Sequence, residues 1–341
     1  MKLNKFCFLA AGVISSLILF SSGCKQKQDN TNKTVTEPNV TAANVKLTFK
    51  FTQGKTQTYR LQTLAQRKVS LEGPQPENTA ALFQGGQTTD KIDMVFSQQV
   101  QSIDAQGNAI EKITIKELKY FAEVKDKTAL DFDSQKDKDP NNALFALIGQ
   151  SYNIEVSPSG KVTRVIDANH VLAAISRFPA NNDAAVKLLS DTAIEKRHSI
   201  PLPDLTANEL KKGGTWDSVT SFDFGLMGKR AYDRIYTLDA IEKTDGVINA
   251  AISMNAIPSV EGTKEAYEEQ KTTTTPPMTD TRQTYTGQMK IDVTDGTLLK
   301  YEENLKNEWI VVPPGSGKSG PPSALNMTAT QIYDIEKINN P

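Results

Sequence analysis

The sequence is poor in the side chains that most often carry chemistry. It has two cysteines, two histidines and two tryptophans in 341 residues. Cys7 lies in the apolar N-terminal segment, and Cys24 is the only other cysteine. A disulfide or a cysteine-based metal site is therefore excluded from the rest of the chain.

The two histidines, His170 and His198, lie in segments with helical patterning. No G-x-S-x-G sequence accompanies them, so the usual nucleophile turn of a hydrolase is missing. A Ser–His–acid arrangement built from distant positions stays open, because triad residues need not be close in sequence. We interpret both histidines as solvated or capping residues, and we expect the protein not to be an enzyme.

One segment, VVPPGSGKSGPPSAL, contains half of a phosphate-binding loop at residues 317–319. The complete loop needs a further glycine at position 312, which is Val312, and a helix directly afterwards. Pro321 and Pro322 prevent that helix. We predict an exposed loop bounded by prolines and no nucleotide binding.

A cluster of aspartates superficially resembles a calcium loop, but its spacing is wrong. The EF-hand pattern requires glycine at the sixth position and glutamate at the twelfth. Counted from Asp131, these positions are Lys136 and Asn142. We expect a solvated loop, with no metal and no cofactor, for the four carboxylates Asp131, Asp133, Asp137 and Asp139.

An excess of positive charge is also missing. The chain has 39 basic and 40 acidic residues, and without Lys2 and Lys5 the balance is 37 against 40. This balance gives no electrostatic basis for binding nucleic acid or an anionic membrane surface.

The N-terminal segment predicts a signal peptide over residues 1–23. Lys2 and Lys5 precede an apolar run from Phe6 to Phe20, and small residues follow in FSSGC. This order of charge, apolar core and small residues is typical of secretory signals. The apolar run of about 15 residues is shorter than the roughly 20 that a membrane-spanning helix needs.

Cys24, preceded by Ser22 and Gly23, resembles the lipobox of bacterial lipoproteins, although Ser21 stands where that motif usually has leucine. The resemblance implies cleavage between Gly23 and Cys24 and an acyl anchor, such as palmitate, on Cys24. More than one acyl chain is enough for stable anchoring. It also implies a location in the cell envelope. Lys25 is not the aspartate associated with inner-membrane retention, which favours the outer membrane.

The mature chain is predicted to consist of a tether and one β-rich domain. Residues 24–44 are polar and without apolar periodicity, which is typical of a flexible tether. Strict alternation in VKLTFKFT, residues 45–52, predicts a first strand and the start of a domain over 45–341. Polar stretches at 73–90 and 258–284 are expected to be loops outside the sheet.

Short turns predict that the sheet is antiparallel. Alternating segments are separated by turns that each contain one glycine, at Gly107, Gly160, Gly246 and Gly296. Strands joined by such turns must be antiparallel neighbours. The similarity between SYNIEVSPSGKV and GQMKIDVTDGTL fits either ordinary hairpins or two related half-sheets that form one curved sheet.

Helical patterning lies between residues 140 and 197. We expect Asp139 and Asp167 to act as N-caps, with Pro140 in the first turn of the first helix. The predicted fold is mainly β (α+β): a curved antiparallel sheet or half-barrel of two β-rich halves with a central helical insert.

This architecture resembles the LolA/LolB class of lipid-carrier proteins and bacterial lipoprotein families of unknown function. A hairpin with Ser-Pro-x-Gly, residues 154–162, is common in the latter. The resemblance implies a lipid or other apolar ligand on the concave face, beneath the 140–197 helices, unless these helices simply plug the core. The alternative is an envelope scaffold that binds partner proteins through a sheet edge or loops. The ligand-binding residues cannot be assigned from sequence.

Overall fold

The alternating segments fold into one antiparallel sheet of twelve strands, which is curved and open. The computed structural model describes residues 44–73, 85–204, 209–225, 228–259, 278–311 and 323–339. The chain divides into the compact units Met1–Asn39 and Val40–Pro341, and all described residues belong to the second. Gly23, Cys24 and the predicted loop at 317–319 lie outside the described residues, so lipidation, cleavage and the loop stay predictions.

The strands are β1 (Thr56–Glu72), β2 (Gly86–Ile103), β3 (Ala109–Val124), β4 (Lys127–Asp133), β5 (Ser151–Val156), β6 (Val162–Ile166), β7 (Thr215–Asp223), β8 (Lys229–Thr244), β9 (Val247–Pro258), β10 (Met278–Asp292), β11 (Thr297–Val311) and β12 (Ala324–Ile338). The helices are α1 (Ala143–Ala146), α2 (Ala168–Ile175), α3 (Asn182–Leu189) and α4 (Asp191–His198). No helix within the described ranges is long and apolar enough to cross a membrane.

The strand order is β6-β5-β3-β2-β1-β12-β11-β10-β9-β8-β7, and β4 pairs with β3 beside the end of β5. Most neighbours are consecutive in the chain. The exception that joins the halves is β1 with β12, paired from Thr58 with Ile338 to Glu72 with Ala324. The predicted fold class is confirmed, and the two halves form one continuous sheet.

The glycine turns are confirmed, since Gly107, Gly160, Gly246 and Gly296 all have positive φ. The helices are present but short. The predicted cap at Asp139 is wrong, because α1 is capped by Asn142, whose Oδ1 accepts a bond from the Leu144 amide at 2.9 Å. Asp167 does precede α2, but in a left-handed conformation and without a side-chain capping bond.

The predicted strand at residues 45–52 is not part of the sheet. Its alternation is real, since Val45 and Leu47 are buried, but the only bridge in this segment joins Val45 to Leu210. The remaining backbone bonds go to turns: Phe49 N donates to Pro158 O at 2.8 Å and Lys50 N to Gly296 O at 3.1 Å. The segment is a strap against the turns of the sheet, which alternation alone does not distinguish from a strand.

The two predicted loops are shorter than expected. Strand β2 already begins at Gly86 and β10 at Met278, so the ends of both stretches belong to the sheet. Residues 74–84 and 260–277 lie outside the described ranges. The polar composition of these ends made them look like loops, because composition does not report backbone pairing.

Candidate ligand-binding cavity

Helices α3 and α4 lie over the concave face of the sheet. On one side, the Lys187 ammonium of α3 forms an ion pair with Asp90 of β2. Near the end of α4, the Tyr333 hydroxyl of β12 donates to the Arg197 carbonyl at 2.8 Å. Lys196 of α4 extends toward β7 as well. The two helices therefore form a roof that is fixed to several strands.

His198, at the end of α4, is part of this attachment. Its Nε2 is 2.8 Å from the Tyr152 hydroxyl of β5, and its ring lies edge-on to Phe96 with centroids 4.9 Å apart. Burial, together with Arg197, lowers its pKa well below the ordinary value. The expectation of a solvated histidine is wrong for His198, whereas His170 is exposed. Neither histidine lines the cavity beneath the roof.

A cavity of about 570 Å³ lies between this roof and the concave face. Much of its lining is apolar and comes from strands on both halves of the sheet and from α3, namely Leu61, Leu64, Ile92, Leu188, Phe222, Leu305 and Ile332. All four helices contribute to the core, for example through Leu144 of α1, Val171 of α2, Leu189 of α3 and Ile194 of α4. The helical insert thus does both things that the sequence left open: it fills part of the core, and α3 and α4 also cover a hollow.

A network of polar side chains lines part of the cavity. Arg234 of β8 donates Nη1 to Glu303 Oε1 of β11 at 2.6 Å, and both side chains are mostly buried. The hydroxyls of Tyr285 and Tyr301 also donate to this carboxylate. The Tyr236 and Tyr301 hydroxyls are 2.9 Å apart. Glu303 therefore already accepts hydrogen bonds from three side chains.

The electrostatics of this network keep its donors protonated. Burial and then Glu303 raise the pKa values of Tyr285 and Tyr301, and burial raises the pKa of Tyr236 to about 12. Burial, the largest single effect, lowers the pKa of Arg234, but Glu303 and the neighbouring tyrosines together outweigh it, and the net effect raises that pKa. The Arg234 Nε is buried without a hydrogen-bond partner. The network can orient and neutralise polar groups, but it contains no free base.

Sequence reasoning missed these residues, although a signal was present. Tyr232, Arg234 and Tyr236 occupy alternate positions of one strand, as do Tyr301, Glu303 and Leu305 of another. Alternate residues of a strand point to the same face of the sheet. A charged residue whose neighbours two positions away are aromatic or aliphatic therefore lies on the buried face. Tyr285 and Tyr301 are buried in the core and also donate to the carboxylate of this ion pair.

The aspartate cluster at residues 131–139 is tied to backbone and lysines. The Asp137 carboxylate accepts from the Asp133 amide at 2.7 Å, and Asp133 is 3.3 Å from the Lys119 ammonium. The Asp139 carboxylate accepts from the Asn141 amide at 2.9 Å. Within the described ranges, no group of His, Cys, Asp and Glu is arranged to hold a metal ion.

Comparison with known proteins gives a family and two distant structural likenesses. Residues 106–298 match the model of a family of unknown function, DUF6263. No curated protein matches.

A solved structure of lipovitellin, reported for its lipid–protein interactions, is 10% identical; the match covers 85% of this chain and 26% of that chain, with a TM-score of 0.37. The chain thus spans about a quarter of lipovitellin. The outer membrane protein OprG from Pseudomonas aeruginosa is 5% identical, with 84% and 99% covered and a TM-score of 0.10. Likenesses this weak carry no functional conclusion.

Proposed function

Because this chain belongs to the DUF6263 family, whose function is unknown, we propose from its geometry that it is a non-catalytic binding protein for an apolar small molecule, such as one with an acyl chain. The observation that carries the proposal is the cavity of about 570 Å³ on the concave face. Small-molecule sites are typically concave cavities of roughly 300–1,000 Å³ with an apolar lining and a few polar groups. This cavity meets each of those conditions.

The roof supports the same proposal. Lys187 of α3 pairs with Asp90, and Tyr333 donates to the Arg197 carbonyl of α4. Leu189 of α3 and Ile194 of α4 are buried in the core. Together these contacts fix the two helices over the sheet while a hollow of about 570 Å³ stays open beneath them. The ligand would lie between the sheet and the roof, shielded from water on both sides.

We place this function at the cell envelope, with the β-rich domain tethered through an acyl group on Cys24. The support is the sequence: a signal-like segment over residues 1–23, the small residues before Cys24 and the polar stretch behind it. Labelling of cells with an alkyne fatty acid should mark the protein, and a Cys24→Ser variant should remain unlabelled.

Native mass spectrometry of the soluble domain, purified without its N-terminal segment, tests the binding function. We expect a co-purifying apolar molecule, and after its extraction we expect the domain to bind the neutral fluorescent probe N-phenyl-1-naphthylamine. Ala193→Trp, on the cavity side of α4, should abolish most probe binding by occupying the hollow. The matched control is Ala173→Trp on the exposed surface of α2, which should bind the probe normally.

Two outcomes would overturn the proposal. Equal probe binding by the Ala193→Trp and Ala173→Trp variants would show that the cavity is not the binding site. A domain that carries and binds nothing, together with a stoichiometric protein partner recovered by crosslinking in cells, would favour the envelope scaffold instead.

A further inference from the structure

The charges that line the cavity are not all paired. Four basic side chains reach it: Lys187, Lys196, Arg197 and Arg234. Lys187 is paired with Asp90, and Arg234 with Glu303.

The Arg197 guanidinium bonds to neutral acceptors: Nη2 donates to the Leu188 carbonyl at 2.6 Å and Nη1 to the Tyr152 hydroxyl at 3.2 Å. Three of the four basic groups thus have a polar partner within the protein, although Arg234 Nε itself has none among the described residues.

Lys196 is the exception among the lining residues that the structure describes. Its ammonium lies 4.7 Å from the centre of the Phe222 ring, and it makes no ion pair or hydrogen bond there. Burial, the largest effect, lowers the pKa of Lys196; Arg234 lowers it further and Glu303 opposes the change. The Lys196 side chain stays in part exposed to solvent, and an ammonium whose main protein contact is an aromatic face gains free energy when an anion reaches it.

The acidic residues of the cavity cannot supply that anion. Glu303 already accepts from Arg234, Tyr285 and Tyr301. Asp90 is taken by Lys187 and by the Tyr120 hydroxyl at 3.1 Å.

Glu195 precedes Lys196 on α4, and adjacent helical residues do not face each other. Among the acidic residues that the structure describes in the cavity lining, none pairs with Lys196, so its ammonium is available to an anionic ligand.

The lining is also graded from one side of the sheet to the other. Strands β1 and β2 contribute Leu61, Leu64 and Ile92, and the one charge there, on Asp90, is neutralised by Lys187. Strands β7, β8 and β11 contribute Phe222, Arg234 and Glu303 next to Lys196. An amphipathic molecule is best accommodated with its tail toward β1 and β2 and its head toward Lys196. Arg234 adds positive potential at the head position, although its own Nε is enclosed.

From this arrangement we infer that the ligand is an anionic amphiphile, whose carboxylate or phosphate head pairs with Lys196 while its apolar chain lies along Leu61, Leu64 and Ile92. This inference rests on the proposed binding function and adds the charge and the orientation of the ligand. A charge-assisted contact of this kind gives about tenfold in affinity.

The test compares three probes on the delipidated soluble domain by calorimetry: dodecanoate, dodecanol and acetate. We expect wild type to bind dodecanoate about tenfold more tightly than dodecanol, and acetate not measurably. Lys196→Gln should reduce this preference to about twofold or less, and Lys196→Arg should keep it. Lys212→Gln is the matched control: it removes one positive charge at an exposed position and should leave the preference intact. Circular dichroism and melting temperature check that each variant is folded.

The outcomes separate the inference from the proposal beneath it. Equal binding of dodecanoate and dodecanol, or an undiminished preference in folded Lys196→Gln, overturns the inference and leaves the apolar site in place. If acetate binds as tightly as dodecanoate, the inference that the ligand is an amphiphile is overturned, because a free anion would then be the ligand. Binding of none of the probes overturns the proposed function itself.

Discussion

At the scale of single residues, the buried face of this sheet carries charge that the protein compensates locally. Glu303 is balanced by Arg234 and two tyrosine hydroxyls, and on the helix that faces it Lys196 lies over the Phe222 ring. Glu111 of β3 is a third case. It is 2% exposed, and its carboxylate accepts from Gln98 Nε2 at 2.6 Å without a cationic partner.

Glu111 predicts a pH-dependent loss of stability. Burial raises its pKa from 4.5 to about 7. Below pH 4.5 both folded and unfolded states are protonated. As the pH rises toward 7, the unfolded state loses the proton first, so the folded state becomes less stable, by about 3 kcal/mol above pH 7.

A Glu111→Gln variant keeps the acceptor for Gln98 and removes the titration. The free energy of unfolding, measured with urea, is compared between variant and wild type at each pH. We expect this difference to shift by about 3 kcal/mol in favour of the variant from pH 4.5 to pH 8. A difference between the two proteins that stays constant over this range would contradict the assignment.

At the scale of elements, the turns do more than reverse the chain. Gly160, between β5 and β6, has φ +81°, and an added Cβ would lie 2.2 Å from the Ile200 carbonyl oxygen. The Ile200 amide in turn donates to the Gly160 carbonyl at 2.8 Å. This hairpin therefore receives the segment that leaves α4, and the turn fixes one end of the cavity roof.

A pair of glycine variants should separate turn geometry from this close approach. Gly246→Ala, with φ +83° and no atom within 4 Å of the new Cβ, should cost about 1 kcal/mol of stability through backbone strain. Gly160→Ala has the same strain and a clash, and should cost about 3 kcal/mol or more. Urea denaturation gives both values. Equal losses would mean that the Ile200 segment moves away freely.

At the scale of the whole molecule, the pairing of β1 with β12 joins the two halves into one body. A single cluster of buried side chains runs from Val45 and Leu61 to Tyr301 and Ile335. The cavity is shared in the same way, because β1 and β2 contribute Leu61 and Ile92 to its lining and β8 and β11 contribute Arg234 and Glu303.

The β-rich domain, residues 45–341, should therefore unfold in one cooperative transition. Tryptophan fluorescence reports only the second half, since Trp216 and Trp309 lie on β7 and β11, whereas far-UV circular dichroism reports the whole sheet. We expect the two urea curves to coincide. A fluorescence midpoint clearly separated from that of the dichroism would show that the halves unfold independently.

The sequence by itself determined the antiparallel character of the sheet, its turns and the place of its helices. These follow from local rules: alternation, glycine at positive φ and helical periodicity each act over a few residues. A local rule failed where two different structures give the same pattern, as for the strap at residues 45–52. That segment alternates because one of its sides is buried, and burial does not require a partner strand.

Only the tertiary structure decided what the concave face contains. Arg234 and Glu303 are 69 residues apart in the chain and meet because β8 and β11 lie on the same curved sheet. Lys196 comes to this pair from a helix whose sequence pattern shows no partner for it. Curvature of the sheet and the height of the roof set the hollow between them, and both depend on packing across the whole molecule. No local pattern of residues records them.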